Sequence, residues 1–165
     1  MPKAGTHPIL QGMIRGPRTP ADFVRRWFPV ITWLSLVFFM STGTFSAENT
    51  FSVMGPVLHF FFPGLSADRV EMIHWMIRKG AHASEYFVLG LLLLRAFRTN
   101  SSLEWRWRWP LFAAIGVLLW ALGDEFHQSF EPTRTASIID VGIDTAGGVI
   151  GQVVGIFWYR RLWGR

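Results

Sequence analysis

Apolar residues fall in blocks along this chain, with polar residues between them. Four blocks stand out, over roughly Trp27–Thr42, Ile77–Phe97, Trp109–Gly123 and Ile138–Tyr159. Crossing the hydrocarbon core takes about 20 mainly apolar residues at 1.5 Å rise each. The first and third blocks are short for that, so their helices are expected to extend into the polar residues beyond. Trp27, Trp109, Trp158, Tyr159 and Trp163 sit at block ends, where amphipathic rings settle at the headgroup level. The pattern predicts an all-α, polytopic integral membrane protein, a bundle of four transmembrane helices. The alternative, a soluble all-helical domain, needs far fewer apolar residues than four such blocks supply.

Between the first two blocks, Phe51–Phe62 is a fifth apolar run, broken by Gly55-Pro56 and closed by Pro63-Gly64. Twelve residues are too few to span, and the run suits a re-entrant or interfacial segment. Ser66-Ala67-Asp68 reads as a helix start leading into the second span. The first helix is expected to end near Ser41-Thr42-Gly43, and Pro132 falls in a tight turn between the third and fourth spans. Gly147, Gly151 and Gly155 recur every four residues, which clears one helix face for close approach of another backbone. Packing within the bundle is the favoured use of that face over dimerisation.

Charge orients the bundle. Twelve of the sixteen Lys and Arg residues lie before the first block, between the second and third, and after the fourth. Those segments hold two acids, Asp22 and Glu104, and so carry +10, while the remainder of the chain carries −5. Basic excess in short loops marks the cytoplasmic side, which places both termini inside. Residues 1–26 form a basic cytoplasmic arm, 27–160 the transmembrane domain and 161–165 a basic tail. Basic flanks of this kind serve the headgroups, and no nucleic-acid role follows from the sequence pI of 10.7. Phe45-Ser46-Ala47 imitates a signal cleavage site, but a basic region of about 26 residues is long for a leader, so a retained anchor is expected. There are no cysteines, hence no disulfide or thiolate chemistry.

The topology gathers ionisable groups at one boundary. Ionisable residues in a span are costly and usually face a bundle interior or a wet cavity. Arg78, Lys79, His82, Glu85 and Tyr86 occupy the outer half of the second helix, and Asp124, Glu125, His127 and Gln128 the outer end of the third. Arg134 lies in the outer turn, and Ser137, Asp140 and Asp144 open the fourth helix. Lys79, His82 and Tyr86 share a face, as do Asp124, His127 and Gln128, and Ser137, Asp140 and Asp144. Arg78, Glu125 and Glu131 taken singly read as ordinary helix-end polar groups.

These strings resemble the VanZ-like membrane family, named for a protein associated with teicoplanin resistance. The resemblance rests on Arg78-Lys79-Gly80-Ala81-His82-Ala83-Ser84-Glu85-Tyr86, Asp124-Glu125-Phe126-His127-Gln128, and Pro132-Thr133-Arg134 with Ser137, Asp140 and Asp144. It covers about residues 28–155. Ala83 stands where the family commonly has Phe, and Asp144 where it often has Asn. The family's biochemical activity is poorly defined, so the resemblance implies a role near the cell envelope and in glycopeptide susceptibility, with no reaction attached.

The residues themselves suggest recognition or processing of a membrane lipid or lipid-linked envelope precursor with a charged head. Lys79 and Arg134 can hold phosphate or carboxylate, with Tyr86, Gln128 and Ser137 beside them. His82, Glu85, Asp124 and Asp140 are the candidate acid/base groups of a hydrolase or transferase at the outer headgroup layer. No cofactor is firmly implied. A divalent cation held by hard O and N ligands is a lesser alternative, with His127 and Asp144 as further candidate ligands. A non-enzymatic binding, exclusion or scaffold protein is the reading from a different class. Proton-coupled transport ranks last, because Gln152 is the main polar residue toward the cytoplasmic half.

Overall fold

The computed structural model describes residues 19–98, 107–130 and 136–163. Expectations for the arm before residue 19, for residues 99–106 of the basic segment between the second and third blocks, for Glu131, Pro132 and Arg134, and for the last two residues lie outside these. The described residues form five α-helices and no strand. They are α1 (Pro20–Met40), α2 (Ala47–Phe61), α3 (Ala67–Phe97), α4 (Arg108–Gln128) and α5 (Ile138–Trp163), with a short 3₁₀ turn at Gly43–Phe45. Three of them are long and apolar enough to cross a membrane: Pro20–Met40, Arg108–Gln128 and Ile138–Arg161. In the long α3 the apolar run is interrupted by Arg78, Lys79 and Glu85.

α1 begins seven residues ahead of Trp27. The Thr19 side chain accepts from the backbone N–H of Asp22 at 3.1 Å, with Pro20 at the first helical position and Asp22 in the first turn. This N-terminal signature lies within polar sequence, so block-counting places the helix start too late. α2 also departs from expectation, because it runs unbroken through Gly55-Pro56. Its fifteen residues reach only about 22 Å, short of the roughly 30 Å hydrocarbon core. α3 begins at Ala67 with Ser66 as its N-cap residue, as the sequence indicates. At 31 residues it is about 46 Å long, more than the roughly 30 Å hydrocarbon core.

α3 is the hub and packs against each of the other four helices. Tyr86, Leu89, Leu93 and Leu94 from α3 meet Val30 and Val37 of α1, Ala113, Val117 and Ala121 of α4, and Val141 of α5 in one buried core. The tightest contact is α3 on α5. A Cβ added at Gly147 would stand 2.5 Å from the Ala83 carbonyl oxygen, and one at Gly151 only 2.2 Å from that of Phe87. The glycine run is thus consumed within the bundle. Many outward-facing side chains are large and apolar, among them Phe28, Ile31, Leu119 and Phe157, which are 59–71% exposed. Such a surface is stable against lipid and not against water. At one end of the bundle Arg98 stacks 4.1 Å over the Tyr159 ring, and Arg26 donates to the Arg98 carbonyl at 3.4 Å.

At the other end, α2 is latched to the start of α3. Arg78 donates to the Thr50 hydroxyl at 2.8 Å and to the Phe45 carbonyl at 2.9 Å, while His74 Nε2 lies 3.1 Å from the same hydroxyl. His74 precedes the apolar part of α3. Its pKa is lowered by burial and by the neighbouring Arg78 guanidinium, with Glu71 opposing. The folded state therefore favours the neutral ring. Its contribution to stability is complete above the ordinary value of about 6.5 and is lost as pH falls through the lowered one. Amide protection factors in α2, corrected for the intrinsic pH dependence of exchange, are expected to fall between pH 7.5 and 5, and His74→Gln, which keeps a polar partner for Thr50, should flatten that response.

Candidate functional site

A cavity of about 250 Å³ opens between α3, α4 and α5 beneath the latch. Lys79 and His82 enter it from α3, Glu125 and Gln128 from α4, and Asp140 and Asp144 from α5, with Arg78, Trp75 and Ala47 at its rim. Helical spacing explains the selection, since each pair lies three or four residues apart and shares one face of its helix. Polar stripes on three separate helices thus converge on one volume, as their spacing suggests.

Lys79 pairs with Asp140 across the α3–α5 boundary, and both side chains are about a quarter exposed. The ammonium also lies 5.7 Å from the centroid of the Trp75 ring, an arrangement that favours a cation. Glu125 is 7% exposed and accepts the Ser137 backbone N–H at 2.7 Å, which ties the end of α4 to the approach to α5. Ser137 therefore enters the site through its backbone. Gln128 is also buried, and its amide donates to Asp124 Oδ2 at 3.1 Å and to the Ser41 hydroxyl at 2.9 Å. It links α4 to the end of α1.

Asp124 lies behind the cavity wall. Oxygen or nitrogen atoms of His82, Asp124 and Asp144 come within 4.8 Å of one another, and both aspartates are buried. His82 Nδ1 stands 3.9 Å from Glu85 Oε2, and the Glu85 carbonyl accepts from Trp33 Nε1 at 2.9 Å. Tyr86 follows His82 by one turn and is fully buried. Its hydroxyl has no hydrogen-bond partner among the described residues.

Most of the sequence-derived candidates are therefore neighbours: Lys79, His82, Glu85, Tyr86, Asp124, Gln128, Asp140 and Asp144. His127 is placed elsewhere. Its ring packs on Phe38 at 4.7 Å between centroids, and its Nδ1 is buried without a partner among the described residues. The i, i+3 relation to Asp124 does not bring it to the cavity, because α4 turns that edge toward α1. Arg134 lies outside the described residues. Glu125 is the residue that sequence reasoning undervalued, and its i, i+3 relation to Gln128 was the available signal. Arg78 keeps the structural character expected of it, holding the Gly43–Phe45 turn and α2 in place.

A small all-α membrane protein, with ionisable groups from three helices collected at one end of its bundle, is the class these features define. The chain belongs to the VanZ/LLP1 family, whose model matches residues 26–159. No curated protein and no solved structure matches it.

Proposed function

We propose that α1, α3, α4 and α5 all cross the membrane, with both termini cytoplasmic, and that the cavity opens to the extracytoplasmic headgroup layer. There it binds and processes a phosphorylated or lipid-linked envelope amphiphile. The carrying observation is the cavity itself, in which Lys79, His82, Glu125, Gln128, Asp140 and Asp144 line about 250 Å³ within an apolar bundle. That volume lies just below the roughly 300–1,000 Å³ of sites for whole drug-sized ligands. It suits a headgroup whose tails remain in lipid, against the apolar outer faces of the helices. α3 crosses in this reading because its second half is buried among the apolar helices, and Lys79 and His82 of α3 line the cavity.

Each group then has a task. Lys79 supplies a point charge for phosphate or carboxylate, with Asp140 holding it in place. His82, oriented by Glu85, moves a proton to or from the reacting oxygen. Gln128 is a positioning residue that fixes Asp124.

The second reading is a non-enzymatic binding or exclusion protein. It is favoured by the same contacts in another light, since Lys79–Asp140, Glu125–Ser137 and Gln128–Ser41 each tie two segments together. Proton transport has less support. The Gln152 amide, oriented to donate to the Pro110 carbonyl at 2.9 Å and accept from the Ala114 N–H at 3.1 Å, is satisfied locally.

Envelope lipid and wall-precursor pools, together with glycopeptide susceptibility, separate the two readings. Expression of the wild type should shift a pool, and His82→Ala or Asp140→Asn at matched membrane levels should abolish that shift. Removing a general acid/base costs about 10²–10⁴-fold in rate. Unchanged pools, with altered susceptibility persisting in the variants, would sink the enzyme reading and leave a binding or exclusion protein.

A further inference from the structure

We propose that His82, Asp124 and Asp144 form a divalent-cation site at the junction of α3, α4 and α5. One ligand comes from each helix, and the atoms that can coordinate already lie within 4.8 Å of one another. Metal–ligand bonds of about 2.0–2.2 Å place neighbouring ligands roughly 3–4 Å apart, so small side-chain adjustments complete the set. One imidazole with two carboxylates suits Mn²⁺ or Zn²⁺ better than a soft-ligand metal.

Three further features support a cation here. Asp124 and Asp144 are 5% and 2% exposed, and neither pairs with a Lys or Arg among the described residues. Buried carboxylates must be neutralised, by protons or by a cation. Polar groups that could support the ligands stand beside them. Glu85 lies 3.9 Å from the His82 ring nitrogen, and the Gln128 amide holds Asp124 Oδ2 at 3.1 Å. The third feature is the Tyr86 hydroxyl, fully buried without a partner among the described residues. The Asp124 and Asp144 carboxylates are among its charged neighbours. A water on the cation would give this hydroxyl the partner it lacks.

For its ligand, though not for the ion, the proposal rests on the headgroup reading. A cation beside Lys79 offsets the excess of carboxylates over basic groups around the cavity and leaves an open coordination position for an anionic oxygen. It would then polarise a phosphoryl or carbonyl oxygen while Lys79 holds the remaining charge, and His82, as a ligand, would give up its acid/base role to a water on the cation.

The test is titration of the purified, chelator-treated full chain in detergent with Mn²⁺, followed by paramagnetic resonance. One ion per chain is expected, with ¹⁴N coupling from a single imidazole. Asp144→Asn and His82→Gln should each weaken binding at least tenfold, whereas His59→Ala and His127→Ala should not. The nitrogen coupling is read on the wild type and so survives any folding failure of a variant. Absence of bound ion, absence of nitrogen coupling, or binding unchanged in Asp144→Asn and His82→Gln would each overturn the site and leave protons as the neutralising charge. Inorganic phosphate and short-chain phosphatidic acid are then added separately. ³¹P coupling from the lipid alone identifies a headgroup site, and coupling from both identifies a general phosphate site. An ion with nitrogen coupling but no ³¹P coupling keeps the cation site and overturns the headgroup reading.

Discussion

Gly90→Ala and Gly151→Ala are each expected to destabilise the protein by about 3 kcal/mol, at the upper end of what overpacking a core usually costs. A Cβ at Gly90 would stand 2.1 Å from the carbonyl oxygen of Gly148, and one at Gly151 would stand 2.2 Å from that of Phe87. In both cases the obstructing atom is backbone, so no rotamer change can relieve the contact, and α5 must move away from α3. The molecule supplies its own controls. Nothing lies within 4 Å of a Cβ added at Gly80, Gly123 or Gly142. All three are helical, and Ala is favoured there over Gly by roughly 0.5–1 kcal/mol. Unfolding midpoints in detergent micelles should therefore fall for Gly90→Ala and Gly151→Ala and hold or rise for Gly142→Ala. If Gly151→Ala matches Gly142→Ala, the close α3–α5 interface does not exist. Because Lys79 and His82 stand on α3 and Asp140 and Asp144 on α5, a shift between these helices would also widen the cavity. Stability and site integrity should be lost together.

The glycine run was legible in the chain because the chemistry of close approach leaves a periodic mark. The same holds for the polar stripes on three helices, and for the start of α3 at Ser66-Ala67-Asp68. Other features left weaker marks. The start of α1 at Pro20 depends on the capping hydrogen bond to Thr19, and Arg25 and Arg26 hide it from any reading by hydropathy. The continuity of α2 through Gly55-Pro56 is a local compromise, in which a proline forfeits one backbone donor without breaking the helix. Within the site, spacing could assign residues to faces but could not say which face of α4 meets α5. Glu125 and His127 flank the same turn, and packing alone sends the first to the Ser137 backbone and the second against Phe38. The buried hydroxyl of Tyr86 likewise becomes visible only when its surroundings are assembled.

The sidedness of the cavity has the sharpest expected readout. A cysteine introduced at Ser129 should react with an impermeant thiol reagent on intact cells, and one introduced at Ser101 only after lysis. The chain has no native cysteine, so background labelling is nil. Two separate considerations set the direction. The basic segments carry +10 against −5 for the rest of the chain, and short basic loops resist translocation. In the structure, Arg26, Arg98 and Tyr159 gather at one end of the bundle, while the cavity, at the close of α4 and the opening of α5, lies at the other. Ser129 is exposed and follows directly on Gln128, one of the cavity residues, so its label reports the side on which the site opens. Labelling of Ser101→Cys alone on intact cells would reverse the bundle and place the site in the cytoplasm, where soluble phosphorylated metabolites replace envelope amphiphiles as its ligands. Labelling of both would mean that α4 does not cross, and α3 could not then be held among spanning helices. Labelling of Ser129→Cys alone fixes the cavity in the outer headgroup layer, where a shallow charged pocket beside apolar helix faces can reach a lipid head without extracting its tails.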